Sequence, residues 1–297
     1  MFDKDNTKLF ESKNKIIPGI YITSTPLGNR YDITLRALYI LNQSNIMLCE
    51  DTRKTKNLFK LLNIEIKDKR WVSYNDHNSK ENFPLILKEY KNKKIICLVS
   101  DAGTPLISDP GYKLIKFAKK NNIKLITIPG PCSVISALSI SGLKTNEFFF
   151  VGFLPKKKGD YVKKLREYKT LNSTLVLYER ANRINILLDC LNKEFNNFDI
   201  ALAKELTKIN EEVITINSSY IGEYLNKNIR HKGEFTVIIE FNETLKKKRF
   251  SDKMLLKELM TLKPSQVSSM LSKKSFESRE NIYKRCIMLK KSNDKNS

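Results

Sequence analysis

The chain has only two histidines, His77 and His231, and five scattered cysteines, Cys49, Cys97, Cys132, Cys190 and Cys286, none of them in a CxxC pair. Zinc sites draw on Cys and His at close spacing, so no metal centre is expected. Five separated cysteines make no disulfide framework, and a reducing, cytoplasmic setting is expected. No run of about 18 apolar residues is present, so no membrane span is expected. The first residues, Met1 to Lys8, are polar and lack the apolar stretch of a signal peptide. The phosphate-cradling signatures are missing as well. There is no GxxxxGK(S/T), and no GxGxxG follows a strand-like run, which argues against the common nucleotide-binding motifs.

What the chain does have is positive charge. Its 297 residues carry 54 Lys and Arg against 32 Asp and Glu, a net +22. Such an excess points to a polyanionic partner, with nucleic acid first among them. The competing explanation is compositional drift, since the chain is rich in Lys, Asn and Ile and Arg is its minority cation. With 41% hydrophobic residues the chain is globular, and its length suits two domains plus a small third piece.

The most informative stretch is Cys97 to Tyr112. A strand-like run, Lys94 to Val99, enters a loop holding Asp101, Gly103, Pro105, Asp109, Pro110 and Gly111. Asp109 before Pro110 reads as a helix cap with proline at the first helical position. The loop therefore falls at the carboxyl end of a strand, where open α/β sheets bind their ligands. The same alternation runs through residues 16–133. Strands are expected at 16–23, 45–50, 71–74, 94–99 and 123–128, with a helix after each. Asp32 is expected to cap the helix that carries Leu35, Leu38 and Leu41. Alternating strands and helices predict a mostly parallel sheet.

An aromatic strand, Phe148 to Leu154, is expected to close this first domain, and Pro155 to Gly159 to link it to a second. The division expected is a leader at 1–15, an N-terminal α/β domain at 16–154, a second α/β domain at 155–242 and a basic helical region at 243–297. Strands near 173–178, 199–203 and 233–241 build the second domain. Several strand ends carry polar or Gly/Pro loops, which suggests one shared cleft. A Gly/Pro loop with an aspartate and no basic residue suits a cation without phosphates, and S-adenosylmethionine is one such ligand among several. Glu50, Asp51, Arg53 and His77 are the polar groups that strand ends could aim at that cleft. The ordinary alternative for Glu50 to Arg53 is a capped helix with an ion pair, and for His77 a loop hydrogen bond.

Several long motifs, in this order, resemble a known family. They are Thr25 to Asn29, Asp32 to Leu38, Glu50 to Arg53, Ser73 to Asn78, Ser100 to Gly111, Pro129 to Ser133, Gly152 to Pro155 and Lys204 to Lys208. Together they resemble the ribosomal RNA small subunit methyltransferase I family, within the tetrapyrrole methylase superfamily. The likeness covers roughly residues 16–241. It implies an α/β, two-domain tetrapyrrole-methylase-like fold with parallel and mixed sheets, followed by a small helical region. It also implies a homodimer, S-adenosylmethionine as cofactor, and 2′-O-methylation of a cytidine in the decoding region of small-subunit ribosomal RNA.

Carried over residue by residue, the resemblance puts Pro26, Asp101, Ala102, Gly103, Leu106, Cys132, Ser133, Glu179 and Leu206 at the cofactor. It departs at Ala181-Asn182, where relatives often carry Ser-Pro, and at Asn75-Asp76, where His-Glu is usual. A tetrapyrrole C-methyltransferase on the same fold, or a non-catalytic ribosome-assembly factor, are the rival functions. The charge of +22 favours RNA over a porphyrinoid, and the cofactor-type loops disfavour a mere binder.

From Glu243 onward the tail holds 15 Lys and Arg against 6 Asp and Glu, +9 of the +22. Two helices around Lys273-Lys274 are expected there, either as a helix-turn-helix on RNA phosphates or as a cap with Leu255, Leu256, Leu259, Met270, Leu271 and Ile287 inward. Phosphate contacts weaken steeply with salt. Removing residues 246–297 is therefore expected to leave cofactor binding intact while weakening ribosomal-subunit binding and flattening its salt dependence. A folded truncation with the full-length salt slope rules the RNA role out; one that precipitates favours the cap.

Overall fold

In the computed structural model, residues 16–227, 232–242, 250–272, 275 and 277–293 are described. The expected leader, His231, the Lys246–Arg249 run and Lys273-Lys274 lie outside these. The chain divides into two compact units, one reaching to Phe241 and the other starting at Asn242.

The larger unit holds two five-stranded sheets. The first comprises β1 (Gly19–Thr23), β2 (Ile46–Cys49), β3 (Arg70–Ser73), β4 (Ile95–Val99) and β5 (Leu125–Ile128), in the order β3-β2-β4-β1-β5. Every pairing is parallel. Four helices follow its first four strands: α1 (Leu35–Gln43), α2 (Thr52–Leu61), α3 (Ser79–Lys91) and α4 (Tyr112–Lys120). A parallel sheet is covered on both faces, so both sets of alternating side chains must be apolar. Tyr21, Met47, Cys97 and Val99 pack with Leu41 and Phe59 on one face, while Ile20, Leu48, Ile96 and Leu98 pack with Ile86 and Leu114 on the other.

Three expectations shift here. Asp32 ends a short 3-10 turn, and Thr34 caps α1 instead, its hydroxyl accepting the Ala37 N–H at 3.1 Å. Asp109-Pro110 does not open α4, because Gly111 stands at the cap with φ 140° and the helix begins at Tyr112. The aromatic strand β6 (Phe148–Phe153) does not close the first sheet. It pairs in parallel with β7 (Thr174–Arg180) of the second.

That second sheet is mixed, in the order β6-β7-β10-β8-β9, with β8 (Phe198–Lys204), β9 (Glu212–Asn217) and β10 (Glu234–Phe241) antiparallel to their neighbours. Helix α5 (Ser133–Ile140) follows β5 yet packs on this sheet. Val134, Ala137 and Leu138 meet Val176, Ala201 and Ile238, because the first sheet's faces are already covered. Burying such a leucine is worth about 1.5–3 kcal/mol. The opposite face is covered by α6 (Lys158–Lys169), α7 (Ile184–Glu194) and α8 (Ile221–Asn226) through Leu165, Leu187, Leu188, Leu191 and Ile221.

The second unit has three described helices, α9 (Asp252–Leu259), α10 (Pro264–Ser272) and α11 (Arg279–Asn293). They close on their own core of Phe250, Leu255, Val267, Leu271, Ile282 and Cys286. Met270 is exposed, and Ile282 with Cys286 supplies the inward face of α11. Arg285 braces the unit, donating to the Phe250 carbonyl and both Glu277 carboxylate oxygens and pairing with Asp252. Among the described residues no helix is long and apolar enough to cross a membrane.

Gly111 is the residue on which the start of α4 depends. A Cβ there would lie 3.0 Å from Leu106 Cγ and from Leu98 Cδ2, at a φ that L side chains rarely adopt. Gly111→Ala is expected to cost about 1–3 kcal/mol. Urea unfolding checks it, and an unchanged midpoint would contradict the strain.

Candidate active site

The carboxyl ends of β1 and β4 and the loop after β5 are tied into one floor. Thr25 and Gly103 exchange two backbone hydrogen bonds, at 2.9 and 3.0 Å. The Thr104 hydroxyl donates to the Pro131 carbonyl at 2.9 Å and lies 3.0 Å from the Ser24 hydroxyl. Gly103 is left-handed at φ 80°, and a Cβ on Gly130 would sit 2.8 Å from Ser24 Cβ. The glycines are there because the loops approach so closely.

Asp101 reaches sideways to the β2 loop. Its carboxylate accepts the Asp51 N–H at 3.1 Å and pairs with Lys54 at 2.7 Å. Above this floor stands a wall from the second sheet. Tyr178 OH lies 2.7 Å from Ser133 Oγ, and the Phe153 ring packs 5.6 Å from the Tyr178 ring. Glu205 accepts the Glu234 N–H at 2.9 Å and pairs with Lys208 at 3.1 Å. The Asn29 N–H donates to Thr207 Oγ1 at 3.0 Å, joining wall to floor.

Between them lies a cleft of about 420 Å³, within the usual range of small-ligand pockets, about 300–1,000 Å³. Six carboxylates line it (Glu50, Asp101, Asp109, Glu179, Glu205, Glu234) against three cations, Lys54, Arg180 and Lys208. A chain of net +22 thus has a negative cleft. Burial, and then the neighbouring Asp101, raises the Glu50 carboxyl. Burial, with the charges of Glu50 and Asp101, pushes Asp109 up to about 6 against a lowering hydrogen bond from Ser100. Apolar lining comes from Leu27, Ile107, Ala203, Leu206 and Phe235.

A second concavity of about 800 Å³ opens beside the first, lined by Leu154, Lys156, Asn182 and Arg183 among others. Phe153 and Arg180 line both. Among the described residues neither Lys156 nor Arg180 forms an ion pair.

With this geometry in view, the comparisons with known proteins are decisive about kinship. The family model for Tetrapyrrole (Corrin/Porphyrin) Methylases matches residues 19–219. The protein named ribosomal RNA small subunit methyltransferase I in Rickettsia prowazekii (strain Madrid E) is 43% identical over 235 residues, covering 78% of this chain and 82% of its own. The chain belongs to that family. Its namesake in Mesorhizobium japonicum is 33% identical and covers 92% of both chains. The solved structures of the methyltransferase CobJ (TM-score 0.56, 11% identity) and of cobalt precorrin-4 methyltransferase (0.53, 15%) cover 78% and 74% of this chain, and 97% and 93% of their own. At such low identity they support the fold alone.

Among the residues expected at the cofactor of a ribosomal RNA small subunit methyltransferase I, Asp101, Ala102, Ser133, Glu179 and Leu206 line the cleft. Pro26, Gly103, Leu106 and Cys132 are not part of the lining and sit in or beside the loops that shape it. The Glu179 carboxylate is buried and accepts from Tyr161 OH and the Arg180 N–H, both at 2.9 Å, with Arg183 Nε 3.4 Å away. Of the candidate catalytic residues only Glu50 lines the cleft. Asp51 caps α2, and its hydrogen bonds from Arg53 hold its carboxyl down to about 2. Arg53 and His77 are exposed, and the His77 N–H donates to Asn75 Oδ1 at 2.9 Å. Asp109, Tyr178, Arg180 and Lys208 line the cleft without having been expected there. Asp109 lay in the Ser100–Gly111 motif, where it read as a cap, and Lys208 closed the Lys204–Lys208 motif.

Proposed function

We propose that the chain transfers a methyl group from S-adenosylmethionine to the 2′-oxygen of a cytidine in the decoding region of small-subunit ribosomal RNA. The observation that carries this reading is the opposition of charge: an acidic cleft of small-ligand size in a strongly basic member of this family. S-adenosylmethionine has a sulfonium, an ammonium and no phosphate, so the carboxylate-rich cleft fits it. When bound, it supplies an electrophilic methyl group on that sulfonium.

In this reading Leu27, Ala203 and Leu206 give the adenine an apolar wall, and Asp101 faces the cationic part. Ala102 and Ser133 leave room between them. Glu179, satisfied by its own partners, holds the wall rather than the ligand. Pro26, Gly103, Leu106 and Cys132 act through the shape of the loops. The unpaired Lys156 and Arg180, in the concavity that continues the cleft, suit the phosphates flanking a target nucleotide. Arg53 and His77, exposed near the mouth loops, meet RNA rather than the reacting atoms. Methyl transfer needs donor and acceptor in line, so fixed walls contribute much of the rate.

The homodimer and the cytoplasmic location belong to this reading as well. Exposed Ile135, Ile140, Phe148 and Phe149 are side chains that a second copy would cover. Light scattering at micromolar protein is expected to give the dimer mass, and a monomer mass would count against it.

The decisive experiment maps 2′-O-methyl groups on small-subunit RNA from cells with and without the gene, then adds the purified protein and cofactor to unmethylated subunits. One cytidine in the decoding region is expected to gain the mark; an unchanged pattern sinks the proposal. Calorimetry is expected to show cofactor binding between micromolar and millimolar. Asp101→Ala should weaken it at least about tenfold, or about 1.4 kcal/mol, while affecting RNA binding less. No heat at millimolar cofactor would remove the cofactor from the reading.

A further inference from the structure

We infer that Asp109 is the group that takes the proton from the acceptor hydroxyl. The inference rests on the methyl-transfer reading above and adds to it the one role that the family resemblance leaves open. A ribose hydroxyl is a weak nucleophile, and a positioned base raises its reactivity by about 10²–10⁴-fold. In the reaction the hydroxyl oxygen bonds the methyl carbon, and the sulfonium sulfur keeps the electron pair of the broken C–S bond and becomes a neutral thioether. The hydroxyl proton passes to a carboxylate oxygen of Asp109 and then to water.

The other groups in the cleft are already committed. His77 is exposed and does not line it. Tyr178 is pushed up to about 12, chiefly by burial, and is engaged with Ser133. Lys54 is held protonated by its hydrogen bond to Asp101. Asp101 is taken by Lys54 and the Asp51 N–H. Glu179 is enclosed by Tyr161, Arg180 and Arg183. Glu205 is lowered, first by the Glu234 N–H, and pairs with Lys208, which also pairs with Glu234. Two carboxylates remain. Glu50 receives the Asp101 N–H and feels Lys54. Asp109 feels the negative charges of Glu50 and Asp101 from the first sheet and itself raises Tyr178 of the second; the Ser100 hydroxyl is the influence that lowers it, and no cation is among the groups that shift it.

Its loop is also held in place. Leu106 and Ser108 are left-handed at φ 73° and 66°, conformations that cost about 1–3 kcal/mol each and persist only where the surroundings enforce them. Gly152, just past the register shift in β6, sits against it, a Cβ there falling 3.1 Å from Ser108 Oγ. The Gly111 N–H donates to Asp76 Oδ1 at 3.3 Å, and Lys113 Nζ to the Asp76 carbonyl at 2.6 Å. Asp109 is thus fixed where the two sheets meet. With its carboxyl at about 6 it is ionised at neutral pH, a stronger base than an ordinary carboxylate, and it sheds the proton again after turnover.

The test uses the full-length protein with unmethylated small subunits. Asp109→Asn is expected to lower kcat by about 10²–10⁴-fold, with cofactor affinity by calorimetry changed less than about threefold. Asp109→Glu should recover part of the loss. Wild-type turnover should fall below about pH 6 as Asp109 takes up a proton, and stay flat above it. A readout independent of activity is the carboxyl carbon resonance of labelled Asp109, expected to titrate near pH 6 and to move lower in Glu50→Gln. A resonance titrating near the ordinary value of about 4 overturns the assignment. So does an Asn variant that keeps wild-type kcat, or one that loses cofactor affinity but turns over normally at saturation. A wild-type protein that binds cofactor yet never methylates subunits overturns the RNA reading and the base together, whereas an active Asn variant overturns the base alone.

Discussion

Two backbone hydrogen bonds between Thr25 and Gly103 fix the floor on which the cleft depends. They join the loops that leave β1 and β4, which are already neighbours in the sheet, through an antiparallel bridge beyond the end of the parallel ladder. From that joint the Ser24–Thr104–Pro131 hydroxyl relay fixes the β5 loop, and Asp101 fixes the β2 loop. Loops without such ties would have to be ordered by the ligand, at about 1–2 kcal/mol for each residue immobilised. Here much of that ordering is completed on folding.

The separation of charge follows from the same construction. The first sheet delivers Glu50, Asp101 and Asp109 to the floor, and β8 and β10 bring Glu205 and Glu234 to the wall. With Glu179 of β7 they make six carboxylates against three cations in the cleft, although the chain as a whole is strongly basic. Like charges that crowd together raise one another's proton affinity, and burial adds to it. Asp109, with no cation to relieve it, carries the result. A local field that attracts a small cation can coexist with an outer field that attracts RNA, because salt screens charges beyond about 8–10 Å.

The first sheet was legible in the sequence because parallel strands buried on both faces read as short apolar runs, and their polar ends stand out. The second sheet was less so. Strand β9, with the pattern Glu212-Val-Ile-Thr-Ile-Asn217, gave no separate signal, and α9 was hidden beside a run of lysines. Strand β6 looked like the end of the first domain because nothing local says which sheet a strand joins. Its register with Thr174–Tyr178 is decided by residues more than twenty positions away. In the site, the family motifs brought Asp101, Ala102, Ser133, Glu179 and Leu206 to the cleft. Asp51 and Arg53 were indistinguishable by spacing from Glu50, yet Asp51 caps α2 and Arg53, in its first turn, donates to that cap.

Asp109 shows why such a residue escapes a reading of the chain. Asp-Pro-Gly before an apolar periodic run is a good helix start on local grounds. Whether it acts as one depends on Gly111, whose φ of 140° delays α4 and leaves the aspartate in the loop. What then gives the carboxylate its chemistry is distant in sequence: Glu50 from β2, Tyr178 from β7, and Gly152 of β6, which sits against Ser108. Each of these would be unremarkable alone. Their effect is a cost, since a carboxyl raised by burial and like charge destabilises the fold as pH rises from the ordinary value of about 4, in full above about 6. A protein retains such a cost where burial and like charge are used to set proton affinity, which is why perturbed carboxylates gather at reactive clefts.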